Sequence, residues 1–235
     1  DGAGWFALTS SVSVPQAGTT GACNYPTTAM ALYQFNDTVN DTCLNYNGTG
    51  VNPAYSTGNF GKAFDFSANT SSYTGTSSYI TYPAALSMPN DWSWSFWIYA
   101  TSTPTQYATI VSFYNGYNNY LIWDTSFGLY MYTNGGGGST GISSGITAGS
   151  WFHIAWTKSS ATGNKLYVNN VEKYSDSTTT NAGTVSGANS IGMHASTGSN
   201  WGYPLDGGCK IDQFRVFQSA LTTDQVTALY NETAP

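Results

Sequence analysis

Hydrophobic and polar positions alternate in short runs along most of this chain, and clusters of Gly, Asn, Pro and Ser separate one run from the next. Period-two alternation is what a strand with one buried face requires. Turn residues between such runs predict a sandwich or jelly roll rather than strand–helix–strand units. The runs are Met30–Phe35, Lys62–Phe66, Tyr79–Tyr82, Trp94–Tyr99, Ala108–Tyr114, Tyr120–Asp124, Gly128–Thr133, Phe152–Thr157, Lys165–Val168, Ser190–His194 and Lys210–Phe217. Trp94 to Tyr99 is aromatic on both parities, which predicts a central strand. Lys165 to Glu172 reads as a hairpin whose Asn169-Asn170 turn suits positive φ. Near the start, Phe6, Leu8, Val12 and Val14 share one parity ahead of Pro15 and Gly18–Gly21. Residues 1–22 are therefore expected to be an extended arm or linker, and 23–235 the domain proper. An apolar strand over residues 5–14 needs a neighbour: its own domain, a preceding domain, or the sheet edge of another subunit.

The last run is the most informative. From Lys210 to Phe217, strict alternation puts Asp212, Phe214 and Val216 on one face and Ile211, Gln213, Arg215 and Phe217 on the other. Phe214 and Val216 should face the core and draw Asp212 in beside them, where a carboxylate needs a cation or several N–H donors. A short helix follows, with Thr222 as N-cap, Gln225 as the reciprocal residue of a capping box, and Leu221 and Val226 as a hydrophobic staple.

This ending, "KIDQFRVFQSALTTDQVTALYN", resembles the C-terminal signature of the concanavalin A-like (laminin G-like) jelly-roll domains. Segments 31–49, 60–80, 93–100 and 151–174 fit the same family in the same order, so the resemblance covers roughly residues 30 to 231. It implies an all-β fold, a two-sheet antiparallel jelly-roll sandwich with a short C-terminal helix. It says little about the ligand, because the family holds lectins, adhesive modules, virion proteins and enzyme appendages. It also implies a structural Ca²⁺. The loop from Asn36 to Asn45 is dense in oxygen donors of the kind calcium takes, and the matching turn in the family often holds calcium together with the Asp of the last strand. By position this nominates Asp37, Asp41, Asn45 and Asp212. Cys43-Leu44-Asn45 stands where the family commonly has Ser-Gly-Asn. The alternative is that Asp212 accepts backbone N–H groups from this turn without a metal.

Composition narrows the function classes. Only 8% of residues are charged, where about 25% is usual, so Ser, Thr, Asn, Gly and Tyr must supply the polar surface. A net charge of −6 and a pI near 4.4 argue against nucleic acid. No apolar run approaches the roughly 20 residues of a membrane span. Cys23 and Cys43 flank the first core strand and are the favoured disulfide, with Cys43–Cys209 and three reduced thiols as the alternatives. A disulfide would indicate an oxidising or exterior location.

A glycosidase needs a carboxylate pair about 5–10 Å apart. The chain has two glutamates, Glu172 in a hairpin and Glu232 in the tail, and its acidic sets Asp37/Asp41 and Asp206/Asp212 do not alternate along a central strand. His153 reads as a structural sheet residue, and His194 sits at a strand end. The expectation is therefore a protein that is not an enzyme. Sugar binding needs exposed aromatic faces with amides or carboxylates beside them. Two loops offer these: Tyr117 and Asn119 in one, His194, Asn200, Trp201 and Tyr203 in the other. Tyr130 and Tyr132, alternating with Leu129 and Met131, are expected to line the opposite, solvent-facing side. The leading expectation is an extracellular or virion-surface recognition module that binds glycans or a host surface polymer. The alternative is a structural subunit or decoration protein of a virion or filament that self-assembles through residues 5–14.

Overall fold

A computed structural model describes residues 20–83, 86, 88–114, 118–133, 137–179, 189–196, 199–201 and 203–233. The expected strand over residues 5–14 lies outside them. Two antiparallel sheets face each other. In the first, the strands run in the order Val171–Asp176, Gly163–Val168, Trp151–Ser159, Trp92–Tyr99, Lys210–Phe217, Lys62–Asp65 and Tyr55–Thr57, and Ala31–Tyr33 also pairs with Lys210–Phe217. In the second, the order is Gly137–Ile142, Leu129–Thr133, Asn118–Trp123, Ala108–Tyr114, Asn189–Ile191, Tyr79–Tyr82 and Thr49–Val51. His194–Ser196 and Ser199–Trp201 form a separate small hairpin.

The predicted alternation makes the core. Trp94, Phe96 and Ile98 from the central strand meet Ile154 and Trp156 from one neighbour and Phe214 and Val216 from the other, all fully buried. Trp92, Trp94 and Trp156 pack with ring centroids 4.5–5.0 Å apart. Across the sandwich Trp94 stacks on Phe113 at 4.7 Å. The Asn169-Asn170 turn has φ of 47° and 63°, as the hairpin requires. Thr222 and Gln225 complete the capping box of the Thr223–Tyr230 helix.

The disulfide joins Cys23 and Cys43, with Cα atoms 5.7 Å apart. Cys209 is a free, buried thiol that donates to the Asp206 carbonyl.

Strict alternation fails in the last strand. Asp212 pairs with Trp97, but Arg215 pairs with Ser95, so three steps on one strand match two on the other. This is a β-bulge, and Gln213 absorbs it at φ 50°. Phe214 and Val216 keep the core face and Ile211 joins them, whereas Asp212, Arg215 and Phe217 lie on the outer face. The expectation that Asp212 sits beside Phe214 and Val216 is thereby corrected, because the extra residue reverses the parity between them.

The outer face of the first sheet is itself covered. The C-terminal helix lays Val226 and Leu229 over Ala155, Tyr167 and Phe217. Beyond the helix the chain turns Glu232 inward onto Arg215, in a bidentate pair at 2.7 and 2.9 Å. The two side chains are 0–1% exposed. Trp97 donates its indole N–H to the same carboxylate at 3.3 Å.

Removing one partner of such a pair leaves a buried charge uncompensated. Arg215→Met or Glu232→Gln should each lower unfolding free energy by about 3–5 kcal/mol, and the double replacement Arg215→Met/Glu232→Leu should cost less than either. Urea denaturation of the three variants checks this.

Candidate functional site

Asp41 is fully buried, and both its oxygens are taken by backbone amides. Oδ1 accepts from Leu32 and Cys43 at 2.8 and 2.9 Å, and Oδ2 from Asn45 and Tyr46 at 3.0 Å. Asp37 is exposed and pairs with Lys62 at 2.7 Å. Asn45 is exposed. Asp212 accepts the Phe60 N–H at 2.8 Å on Oδ2, and its Oδ1 meets no partner. Among the described residues no three His, Cys, Asp or Glu side chains gather in one place. The four nominated residues do not fit a calcium centre, whose six to eight oxygens must converge. Asp41 is instead the hub of the Asp41–Tyr46 turn, and the N–H donors to Asp212 come from a different turn, at Phe60.

Asp212 and His153 both pair with Trp97, from strands on its opposite sides. Ser95 Oγ is 2.8 Å from His153 Nε2, and the imidazole packs on Trp97 at 5.2 Å. Burial, with Arg215 adding to it, drives the His153 pKa down to about 3. Burial pushes Asp212 up to about 7; the Phe60, Gln213 and Asn59 amides oppose the rise, and Glu232 adds to it. The two groups act in opposite senses on stability. An unfolded Asp titrates near 3.9, so the Asp212 contribution is full below about pH 4 and is lost as pH rises through 7. The His153 contribution is present above its unfolded value near 6.5 and is lost as pH falls toward 3.

The aromatic face lies on the other sheet. Along Leu129–Thr133, Leu129, Met131 and Thr133 are buried while Tyr130 and Tyr132 point outward. The neighbouring strand is in register, with Tyr120 opposite Tyr132 and Ile122 opposite Tyr130. Tyr120 and Tyr132 stack nearly parallel at 4.8 Å, and His194 meets Tyr120 edge-on at 5.3 Å. At the other end of the row Tyr107 meets Tyr130 edge-on at 5.1 Å, with their hydroxyls 3.3 Å apart. This hydrogen bond first, and then a little burial and the nearby charges, raises the Tyr130 pKa.

Tyr107 and Tyr130 wall a depression of about 450 Å³, completed by Thr105, Gln106, Asp124 and Thr125. Its rim is held from below. Asp206 accepts from the Thr105 amide and hydroxyl at 3.2 and 2.6 Å. Gln106 donates to the Ser71 carbonyl, and the Tyr203 carbonyl accepts from Thr109 at 3.0 Å. Asp124 is fixed by its own turn: Oδ1 takes the Ser126 amide and hydroxyl and the Gly128 amide at 2.7–2.8 Å. Glycine at 128 keeps this carboxylate in place, because a Cβ there would run into it and force it to shift. Oδ2 accepts no hydrogen bond among the described residues and lies against Gly128. A second depression of about 330 Å³ lies across Asp124, between the Ser126–Gly128 turn and Ser143–Ile146.

Of the residues nominated for sugar binding, Tyr203 is 38% exposed and His194 lies against Tyr120 with only 9% of its surface open. Asn119 pairs with Phe113 and is 3% exposed, so it faces inward and is not a surface ligand. Asn200 and Trp201 lie on a strand, Trp201 paired with His194, but their side chains and all of Tyr117 lie outside the described residues. Sequence reasoning did not nominate Tyr107, Gln106 or Asp124. The outward parity of Tyr130 was the one signal pointing to them.

A profile described as the concanavalin A-like lectin/glucanases superfamily, of the laminin G type, matches residues 74–227, well over half of the chain. The chain belongs to this superfamily. The match begins later than the stretch from residue 30 that carries the sequence resemblance. No curated protein matches significantly. Among solved structures, domain 4 of a GH43 extracellular arabinanase from Geobacillus stearothermophilus, in complex with arabinotriose, superposes with a TM-score of 0.66 at 24% identity, covering 86% of this chain and 98% of that one. Trypanosoma rangeli sialidase in complex with sialic acid gives 0.61 at 14% identity, over 92% of this chain and 33% of the sialidase. A structure of botulinum neurotoxin type C, whose cell entry depends on two ganglioside molecules, gives 0.59 at 15% identity, over 86% and 50%. At these identities the likeness is one of fold, and this laminin G-like domain spans a third of the sialidase and half of the neurotoxin chain.

The opposed titrations predict a specific variant. Asp212→Asn keeps an acceptor for the Phe60 amide and removes the charge, so at pH 8 its Tm should exceed that of the parent by about 5 °C or more, and at pH 4 the two should melt together. Thermal melts across pH 4–8 check this.

Proposed function

We propose that this is a non-catalytic, extracellular glycan-binding module whose ligand lies along the outward tyrosines of the second sheet, anchored between Tyr107 and Tyr130. The observation that carries the reading is the depression itself. Two tyrosines offer ring faces, the Asp124 carboxylate offers an acceptor, and Gln106 and two threonines offer further polar atoms within one hollow. Its size falls in the range of small-ligand sites, roughly 300–1,000 Å³. Sugars present alternating apolar C–H faces and hydroxyl edges, and ring stacking beside a few fixed polar groups recognises both.

Tyr130 and Tyr132 stand two residues apart on one strand face, about 7 Å, so the row suits a chain of sugars better than one ring. The arabinanase domain bound to arabinotriose and the ganglioside-dependent neurotoxin lend support by fold. The disulfide fits an oxidising exterior.

Catalysis is not favoured by the acidic side chains. Asp124 is the one carboxylate lining the depression. Asp41 is saturated by amides, Asp206 holds Thr105, and Glu172 and Glu232 are paired with Lys165 and Arg215. A glycosidase would need a second carboxylate across the scissile bond.

Affinity electrophoresis through a panel of soluble polysaccharides tests the reading. Wild type should be retarded by at least one of them. Tyr130→Ala and Tyr107→Ala should each weaken that binding roughly tenfold or more, the size of a hot-spot loss, with Tm unchanged within about 2 °C because both side chains are surface groups. Retardation by none of the polymers, or equal retardation of both variants, would sink it.

A further inference from the structure

We propose that the Tyr107–Tyr130 depression selects neutral glycans and excludes acidic ones, an inference that rests on the glycan-binding reading above. The chain has six basic residues. All six lie on strands of the first sheet: Lys62, Lys158, Lys165, Lys173, Lys210 and Arg215. Most are already engaged. Lys62, Lys165 and Arg215 form ion pairs, Lys158 is buried and donates to the Thr178 carbonyl, and Lys210 sits over the Tyr99 ring at 5.6 Å.

The second sheet is the opposite case. Its strands contain no Asp, Glu, Lys, Arg or His at any position. The formal charge nearest the ligand is the Asp124 carboxylate in the wall of the depression. Lys173 reaches toward Gly145, which lines the neighbouring hollow beyond Asp124, and none of the six cations lines this one.

This segregation decides what can bind. A sugar carboxylate or sulfate entering the depression would shed water without gaining a cation. It would also stand within several ångströms of Asp124, where like charges repel. A neutral sugar meets neither cost, since its hydroxyls donate to the Asp124 carboxylate and its C–H faces stack on the tyrosines. Stacking alone is indifferent to ligand charge, so the discrimination comes from the missing cation and the present carboxylate.

The test is a glycan array carrying neutral oligosaccharides together with their sialylated, sulfated and uronic-acid counterparts, followed by calorimetry on a matched pair from the bound series. The neutral member should bind at least about tenfold more tightly than its acidic counterpart. The gap should narrow in Asp124→Asn, which keeps an oxygen for the Ser126 and Gly128 amides. It should also narrow in Thr125→Lys, which adds a cation at the exposed rim. Raising salt from 10 to 200 mM should strengthen only the acidic member, because screening weakens repulsion. Acidic glycans bound as tightly as neutral ones, or variants that leave the gap unchanged, overturn the selectivity while leaving glycan binding standing. An array on which nothing binds overturns both.

Discussion

The buried pair between Arg215 and Glu232 ties together the part of this domain that is not simple sandwich. Arg215 stands on the outer face of the first sheet, opposite in facing to Phe214 and Val216, and the bulge at Gln213 puts Asp212 on that same face. Glu232 reaches Arg215 only because the capped helix carries the chain back across that face. Each charge is sealed from water, so neither is tolerable without the other. The pair fixes where the helix sits, and the helix in turn closes the second apolar layer over Ala155, Tyr167 and Phe217.

With its outer face covered, the first sheet has little left to offer a ligand. On the second sheet, Tyr120, Ile122, Tyr130 and Tyr132 are outward residues left open or half-buried, and they present three rings and an alkyl side chain rather than charge. The division of labour is electrostatic as well as steric. All the cations and the buried ion pair belong to the sheet that holds Ala31–Tyr33 and Lys210–Phe217, and the other sheet presents rings and hydroxyls. A face of this kind offers stacking and hydroxyl contacts without the desolvation costs that a charged face would meet with every ligand.

The resemblance nominates Asp41 as a calcium ligand, and in the structure Asp41 organises the turn that follows the first strand through backbone amides. Its oxygens accept four backbone N–H groups, and Asp212 draws its donor from Phe60. The turn is stapled by amides and, close by, by the Cys23–Cys43 disulfide.

By itself the sequence determined most of the strands and their inward faces, the Asn169-Asn170 turn and the capped helix, because each depends on neighbours in the chain or on a period of two; it favoured the Cys23–Cys43 disulfide that the fold brings together, without excluding the alternatives. It also determined that Tyr130 and Tyr132 point away from the core. It misplaced Asp212, since a single bulged residue reverses facing and leaves no mark in composition. It placed Asn119 outside when its pairing with Phe113 turns it inward. Only the tertiary structure brought Tyr107, Gln106 and Asp124 to Tyr130, and Glu232 to Arg215. Those meetings join segments far apart in the chain, through strand order and loop packing that no local pattern encodes.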